Sequence, residues 1–509
     1  MLLRGSATRW EEPFRRTLVL IAVFTVPAAV AMQIATVADP DLWWHLRTGQ
    51  WIAQHHMVPT TDPFSSFGIG KPWVAYCWLF ELVLFFFYRL GGLLGLLIFK
   101  LLMVMALTGA LYRLVGRLQQ DFTWRVVLTS VAMISMAQLY SPRPWLFTLL
   151  FFTIEVSALF AYREGGKARN LYALAPLFLI WANMHVQFVY GLFVLFLFAI
   201  EPSLSRKLAP RIPQIRPIQR PAAPLWVSTV MCAAITFVNP YGVRLYTTVF
   251  DMMSQKSLFK YVTELQALSF RQLPDYLLLA MLLAAVFVIA WTRHADLLYQ
   301  LLLLAGAVLA FRACRDLWFL ALVSTAILAA CIPARPNGQY MATRGQRWLI
   351  GLGVLGALLA VVSIRGISNG SLQRQVTLEL PANAAEFISH HDLPGPLFND
   401  YTWGGYFIWK LPSLSVSMDG RANVHGDRRI GRSVETWAGK HDWPSDPDLS
   451  SARLVVGPID APLTAILKLS PDYQVAYEDQ LAVVFVRRAP FASPQIARAR
   501  GEHDQSAHP

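Results

Sequence analysis

The sequence predicts a mostly α-helical protein that crosses a membrane many times and carries a small soluble α/β domain at its C-terminal end. Three observations support this fold class. Of the 509 residues, 55% are hydrophobic, and the mean hydropathy is +0.43. Apolar runs long enough to cross a bilayer, about 17–25 residues, recur between Thr17 and Arg365. After residue 365 the pattern changes to short strand and helix signals separated by proline and glycine.

The apolar runs predict about eleven membrane-spanning helices. The segment 73–90 is also apolar, but it carries Glu81 and an aromatic cluster. If it lies in the outer interface, the linkers rich in arginine and lysine all fall on the cytoplasmic side, as the positive-inside rule prefers. The N-terminus is then cytoplasmic, in a multi-pass protein of the bacterial inner membrane. The predicted spans are 17–37, 92–112, 126–140, 145–162, 171–184, 188–201, 225–239, 276–292, 297–311, 317–332 and 347–364.

The first outer loop, 38–91, is expected to contain interfacial helices. Residues 40–54 predict one of them, with Asp39 as its N-cap and Pro40 at its first position. Together with the spans, this loop makes residues 1–365 the transmembrane domain.

Residues 366–489 predict a small α/β domain outside the membrane, because strand and helix patterns alternate there. The sequence after Pro490 is polar and predicts a disordered tail, 490–509. The strand candidates are 396–399, 414–418, 453–457 and 481–487, and the helical patterns are 382–391, 428–438 and 461–469.

Charge and cysteine content exclude several classes of function. The net charge of +13 would suggest a nucleic-acid partner in a soluble chain, but here many of the basic residues fall in links between spans. The partner that this pattern indicates is the lipid bilayer, and no nucleic acid is expected. All four cysteines lie in apolar stretches without metal-ligand spacing, so a disulfide framework is not expected.

Two carboxylates and two basic residues follow directly after the first apolar run: Asp39, Asp41, His45 and Arg47. Asp41 and His45 are four positions apart and therefore share one face of a helix. Two carboxylates can hold a divalent cation, or can hold and deprotonate an acceptor group. Two structural alternatives stay open. Asp39 and Asp41 can serve only the helix, as cap and dipole partner, and His45 can be a hydrogen-bonded interfacial residue.

Other polar residues are predicted to face the same outer compartment. Glu264 lies in an outer loop, where a lone glutamate is usually solvated, and His185 follows the span 171–184. Arg143, Arg312 and Arg315 lie at the outer ends of spans, where arginine can clamp a phosphate. Salt bridges within the protein or to lipid headgroups explain these arginines equally well.

The C-terminal region offers a further candidate site, in which aromatic residues, aspartate and glycine are interleaved. The aromatic residues can stack on a sugar or peptide, and glycine lets such a ligand approach the backbone closely. Alternatively, the same residues form only a tight turn between helix and strand. The candidate substrate-binding residues there are Asp400, Tyr401, Trp403, Asp419 and Arg421.

With these motifs in place, the chain resembles the C-type glycosyltransferase superfamily of polytopic membrane enzymes. Residues 39–47 resemble the first-loop catalytic motif of the oligosaccharyltransferase catalytic subunit, and Thr263–Gln266 resembles its outer-loop glutamate motif. Asn399–Gly404 is similar to its acceptor motif, although a Trp-Trp pair does not precede Asp400. The second outer loop carries Ser141–Pro144 where those enzymes have carboxylates, so a monosaccharide transferase of the mannosyl or arabinosyl kind fits as well.

The resemblance implies transfer of a sugar, hexosyl or pentosyl, from a polyprenyl-phosphate donor to a glycan, lipid or protein acceptor on the outer face. Asp39 is then the base or the ligand of a divalent cation, Mg²⁺ or Mn²⁺, with Asp41 as its partner and Glu264 as the loop glutamate. Arg143 or Arg315 would hold the leaving phosphate. No Gly-rich nucleotide-binding loop is evident, which fits a lipid-linked donor.

Two functions of other classes are the alternatives to this enzyme. A transporter or flippase of lipid-linked glycans would place charges in mid-span and show paired repeats. A membrane scaffold would use its outer domain to bind components of the cell envelope, and Asp39→Asn would leave its function intact.

Overall fold

The computed structural model describes residues 11–34, 36–212, 215, 220–292, 296–335 and 342–488. The predicted disordered tail, 490–509, lies outside these residues. The helices of the bundle and its loops are α1 Glu11–Gln33, α2 Pro40–His55, α3 Trp78–Gly91, α4 Leu93–Leu118, α5 Phe122–Ser135, α6 Trp145–Arg163, α7 Arg169–Tyr172, α8 Leu174–Met184, α9 Phe188–Leu208, α10 Ala223–Ile235, α11 Arg244–Ser254, α12 Lys256–Tyr261, α13 Leu273–Trp291, α14 Leu297–Arg312, α15 Leu317–Cys331 and α16 Arg344–Ile364.

The chain is a multi-pass membrane protein. Among the described residues, seven helices are long and apolar enough to cross a bilayer: α1, α4, α6, α9, α13, α15 with the turn before it, and α16. Helices α5, α10 and α14 are apolar but shorter, and α8 has 11 residues. The figure of about eleven crossings therefore stays a prediction. Helix α3, with 14 residues, is not among the seven long helices.

The bundle has a packed centre and an exposed rim. Almost every side chain of α15 is buried, because this helix contacts α4, α5, α13 and α14. Only Val354 and Leu358 of α16 are buried, and the main packing partner of this helix is α1. A helix apolar on all sides with so little buried surface is suited to contact with lipid.

The C-terminal region forms a four-stranded sheet with helices on both sides. Its elements are α17 Asn369–Glu379, α18 Ala382–His390, β1 Leu397–Asn399, α19 Gly404–Lys410, α20 Ala422–Trp437, α21 Pro447–Ser451, β2 Leu454–Pro458, α22 Pro462–Leu469, β3 Tyr473–Glu478 and β4 Ala482–Arg487. The strand order is β1-β2-β4-β3; β1 and β2 are parallel, and the other two pairs are antiparallel. In the register, Phe398 lies opposite Val455, and Val455 lies opposite Phe485.

The strand predicted at 414–418 is wrong. Only Val416 pairs there, through single bridges to Ser65 of the first loop and to Leu397 of β1, so no ladder continues. The sequence pattern also missed β3, whose side chains do not alternate regularly between buried and exposed positions and whose pairing has a bulge after Val475. The helices α11, α12, α17, α19 and α21 were not predicted either.

The sheet packs on two sides, and one of these sides joins the C-terminal region to the bundle. Phe398, Val455 and Phe485 point into a separate apolar cluster with Trp437. The alternate side chains of the same strands, such as Val456, belong to the large core that includes α2 and the bundle. The C-terminal region is therefore not independent of the first loop.

Two close contacts fix α19 against α2. The ring of Tyr406 meets that of Trp43 edge to face, with centroids 5.1 Å apart. At Gly405, a Cβ would lie 2.5 Å from the backbone oxygen of Pro40, so only glycine allows this approach.

A buried ion-pair network completes this connection. Arg421 donates from Nη1 to Asp62 Oδ1 at 2.5 Å, and from Nε and Nη2 to the two oxygens of Asp419 at 2.8 and 2.7 Å. His425 Nε2 lies 3.0 Å from Asp419 Oδ2, and all these side chains are 0% exposed. Burial opposes ionisation of Asp419, but Arg421 and His425 outweigh it and hold its pKa well below the usual range. Because Asp62 belongs to the first loop, the network joins two distant parts of the chain.

We expect Arg421→Ala to destabilise the protein by about 3–5 kcal/mol, because the substitution leaves two buried carboxylates without their counter-charge. Denaturant unfolding in detergent micelles, followed by tryptophan fluorescence, measures this loss. The control is Arg428→Ala, an exposed arginine of the same helical segment. Equal loss in the two variants would show that the network contributes nothing specific.

Candidate active site

The first turn of α2 holds the two aspartates as the sequence predicts. Asp39 is the N-cap, and its Oδ1 accepts a hydrogen bond from the backbone N of Asp41 at 3.0 Å. Pro40 is the first residue of the helix, and Asp41 lies in the first turn, where a negative charge interacts favourably with the helix dipole. Trp44 Nε1, one turn along the helix, donates to Asp41 Oδ1 at 2.9 Å.

Arg143 joins these aspartates from the turn between α5 and α6. Its Nε donates to Asp39 Oδ2 at 2.6 Å, and its Nη1 donates to Asp41 Oδ2. Its Nη2 lies 4.0 Å from Glu264 Oε2, and the guanidinium lies over the ring of Trp145 at 5.1 Å. One guanidinium therefore faces three carboxylates from two separate loops.

Glu264 is held at the site by a second arginine and by backbone contacts. Arg315 Nη1 lies 3.6 Å from Glu264 Oε1. Both residues lie in single turns of 3₁₀ helix, and these turns are joined because Cys314 N donates to Gln266 O at 2.8 Å. The loop glutamate and the turn before α15 are thus connected.

These side chains line a cavity of about 560 Å³. A smaller chamber of about 70 Å³ shares part of this lining and extends it between the first loop and the C-terminal region. The charged residues common to the two are Asp41, Arg143, Glu264 and Arg315, and Tyr401 also lines both. The structure thus brings together residues that the sequence could only assign to one side of the membrane.

The electrostatics of the cavity differ from those of exposed side chains. Burial raises the pKa of Asp41 to about 6, although Arg143 acts to lower it; the charges of Asp39 and Glu264 raise it further. Burial also opposes ionisation of Arg143, but these carboxylates more than offset it and raise its pKa well above the usual value. Arg143 is therefore charged at every relevant pH, whereas Asp41 titrates close to neutrality.

His45 and His185 line the small chamber. His45 Nδ1 lies 3.0 Å from Glu81 Oε1 of α3, and His185 Nδ1 lies 2.8 Å from the hydroxyl of Thr148. Burial lowers the pKa of His45 and raises that of Glu81, so both shifts favour the uncharged forms of the pair. The contact of His45 with Glu81 agrees with the alternative that His45 is a hydrogen-bonded interfacial residue. Its side chain nevertheless lines the small chamber.

The remaining candidates lie away from the main cavity. Arg47 donates to Gln50 on its own helix at 2.6 Å, and Arg312 lies over the ring of Phe259 beside a separate apolar cavity. Asp400 accepts hydrogen bonds from the backbone N and the hydroxyl of Thr402. These bonds are typical of a tight turn, which was the alternative to a substrate-binding role.

Three further candidates in the C-terminal region are buried. Trp403 packs in the core next to α19, whereas Asp419 and Arg421 have their polar atoms in the ion-pair network that joins the region to the first loop. None of these three lines either cavity containing Asp41. A role in contacting substrate therefore has no support from their positions.

Sequence reasoning missed several residues that shape the site. Trp44 stands three positions after Asp41, so helical spacing could have found this pair. Trp145 and Thr402 also line the cavity and adjoin residues that the sequence did single out. For Glu81 as the partner of His45 there is no local signal, because the two residues are 36 positions apart.

The residues present do not fit the divalent cation expected at Asp39. Among the described residues, no group of three or more histidine, cysteine, aspartate or glutamate side chains is arranged to hold a metal ion. The carboxylates of Asp39 and Asp41 instead turn toward the guanidinium of Arg143, which supplies the positive charge between them.

Fold and site together define a multi-pass membrane protein whose charged cavity lies between the bundle, its loops and a C-terminal α/β region. Over 86% of this chain and 69% of the other, the structure is similar to the apo oligosaccharyltransferase of Archaeoglobus fulgidus, with a TM-score of 0.49 and 11% identity. Over 95% of this chain and 99% of the other, it is similar to ArnT from Cupriavidus metallidurans bound to undecaprenyl phosphate, with a TM-score of 0.47 and 13% identity.

No family model matches the chain, and no curated protein matches it by sequence. The two structural similarities concern the fold alone.

We expect the carboxyl group of Asp41 to titrate near pH 6. As the pH falls through this value, the carboxylate takes up a proton, and a protonated-carboxyl stretching band should appear in infrared difference spectra. The band should be absent in Asp41→Asn. In Arg143→Gln it should appear at higher pH, because the charge that opposes protonation is removed. A midpoint near 4 in the wild-type protein would contradict the burial that we assign to this group.

Proposed function

We propose that this protein transfers a sugar from a polyprenyl-phosphate-linked donor to an acceptor at the outer face of a bacterial cytoplasmic membrane. The observation that supports this function best is the cavity of about 560 Å³, in which three carboxylates and two guanidinium groups meet. Glycosyl transfer from such a donor needs a base for the acceptor hydroxyl and a positive charge beside the leaving phosphate. The cavity offers both.

The base of this reaction is Asp41, and Asp39 positions it. Asp41 is 21% exposed and Asp39 only 8%, so the acceptor reaches Asp41 more easily. A pKa of about 6 also suits a base that works near neutral pH. Both carboxylates have both oxygens engaged, those of Asp39 by the helix cap and Arg143, and those of Asp41 by Trp44 and Arg143. Exposure and the raised pKa of Asp41 are therefore what distinguish the two residues. This reverses the roles that the sequence suggested for the two aspartates.

In the proposed step, the acceptor hydroxyl gives its proton to the carboxylate of Asp41, and its oxygen bonds to the anomeric carbon of the sugar. The bond between that carbon and the phosphate oxygen breaks, and the electron pair leaves with the polyprenyl phosphate. Arg315, which faces the same cavity, compensates the charge that develops on this phosphate.

Arg315 also lies where a lipid phosphate would meet apolar surface. It lines a second cavity of about 80 Å³, whose other walls are mostly apolar, although Gln187, Arg312 and Asp316 also line it. A guanidinium between a charged cavity and an apolar one suits a ligand that carries phosphate on a hydrocarbon chain. This supports a lipid-linked donor over a soluble one.

One observation favours the transporter as a second candidate function. Glu155 is buried within α6, and neither of its carboxylate oxygens has a hydrogen-bond partner among the described residues. Ionisable groups within spans often mark a path for protons or substrates. A proteoliposome assay for translocation of lipid-linked glycan, with Glu155→Gln as the variant, tests this function directly.

Purified protein in proteoliposomes, given radiolabelled polyprenyl-phosphate sugars and membrane acceptors, tests the transferase. We expect Asp41→Asn to lower the transfer rate by about 10²–10⁴-fold, because the amide cannot take up the proton. The matched control is Asp251→Asn, an exposed carboxylate of α11. Label transfer that survives Asp41→Asn at the wild-type rate would refute the assignment of the base.

Arg315→Ala should weaken transfer mainly through donor use, because this side chain faces the phosphate. We expect a larger rise in KM for the donor than for the acceptor, together with a lower kcat. Arg271→Ala, at an exposed position of the loop that carries Glu264, should leave these parameters unchanged. Equal effects on the KM of donor and acceptor would contradict the proposed position of the phosphate.

A further inference from the structure

We infer that the guanidinium of Arg143 takes the place of a divalent cation at this site, so that the site works without metal and becomes a metal site only when Arg143 is removed. The inference applies to the same cavity as the proposed function and adds which positive charge balances its carboxylates. The binding measurement below does not depend on that function.

Arg143 fills the space between the carboxylates that a bound cation would need. Its three guanidinium nitrogens face three different carboxylates: Nε faces Asp39, Nη1 faces Asp41, and Nη2 faces Glu264. Oxygen ligands of Mg²⁺ or Mn²⁺ must converge on one point close to each carboxylate. Here the carboxylates of Asp39 and Asp41 converge on the guanidinium, so the arginine already satisfies them.

The position of Arg143 is fixed by its surroundings. Its side chain is only 12% exposed, and its guanidinium lies over the ring of Trp145. A divalent cation could reach the same carboxylates only by displacing a buried charge from its partners, or by lying next to it against strong repulsion. Both routes are unfavourable.

The charge balance of the cavity leads to the same conclusion. When all are ionised, the carboxylates of Asp39, Asp41 and Glu264 face the guanidinium groups of Arg143 and Arg315, which leaves a small negative excess. Removing Arg143 would leave the carboxylates of Asp39 and Asp41 without the guanidinium between them, and Glu264 facing Arg315 alone. Such a set of hard oxygen ligands favours a divalent cation.

The test is Mn²⁺ binding to the purified full-length protein in detergent, with MnCl₂ as the only added metal and electron paramagnetic resonance of free Mn²⁺ as the measure. We expect no saturable binding that depends on Asp39 in the wild-type protein, and one Mn²⁺ per chain in Arg143→Ala. The double variant Arg143→Ala/Asp39→Asn should lose this binding. Arg143→Gln, which keeps most of the side-chain volume, serves if Arg143→Ala fails to fold.

Two outcomes would overturn the inference. One is saturable Mn²⁺ binding by the wild-type protein that Asp39→Asn abolishes. The other is a folded Arg143 variant, as judged by size-exclusion chromatography and circular dichroism, that binds no Mn²⁺.

Sugar transfer gives an independent readout, which rests on the proposed function. We expect EDTA to leave the wild-type rate unchanged, whereas loss of transfer with EDTA and its return with Mn²⁺ would also overturn the inference. If no donor supports any transfer, the proposed function fails, but the Mn²⁺ measurement still decides the role of Arg143.

Discussion

The ion pairs of Arg143 with Asp39 and Asp41 are the interaction on which the site depends. They tie the turn between α5 and α6 to the first turn of α2, and so bring separate segments of the bundle to one cavity. Charges placed at the end of a membrane bundle keep access to water, which the same charges would lack deeper in the lipid. Burial at this position raises the pKa of Asp41 toward neutrality, although the charge of Arg143 acts to lower it.

A second buried network fixes the C-terminal region in relation to these charges. Arg421 pairs with Asp62 of the first loop and with Asp419, directly before Gly420. At Gly420 a Cβ would lie 1.8 Å from Asp41 Oδ1, so the backbone of the C-terminal region comes against the aspartate itself. The network and this close approach place Tyr401 in the wall of the cavity. The C-terminal region is thus part of the site and not an appendage.

Some of the candidates that the sequence suggested for substrate binding make structural contacts. Asp419 and Arg421 satisfy each other in the interior, and Asp400 closes a turn. Residue types that suit a binding site also suit a buried network, because both require hydrogen-bonding groups near glycine and aromatic residues. Composition alone cannot separate the two uses, whereas burial does.

The sequence by itself determined what depends on near neighbours. Apolar runs give the membrane helices, and an aspartate before proline gives the cap of α2, because helix periodicity and capping act within a few residues. Tertiary structure alone decided the partners of the charges. Arg143 lies 104 residues from Asp39, and Arg421 lies 359 residues from Asp62. No local pattern encodes such pairs, because two charges interact only after packing has brought them together and removed the water between them.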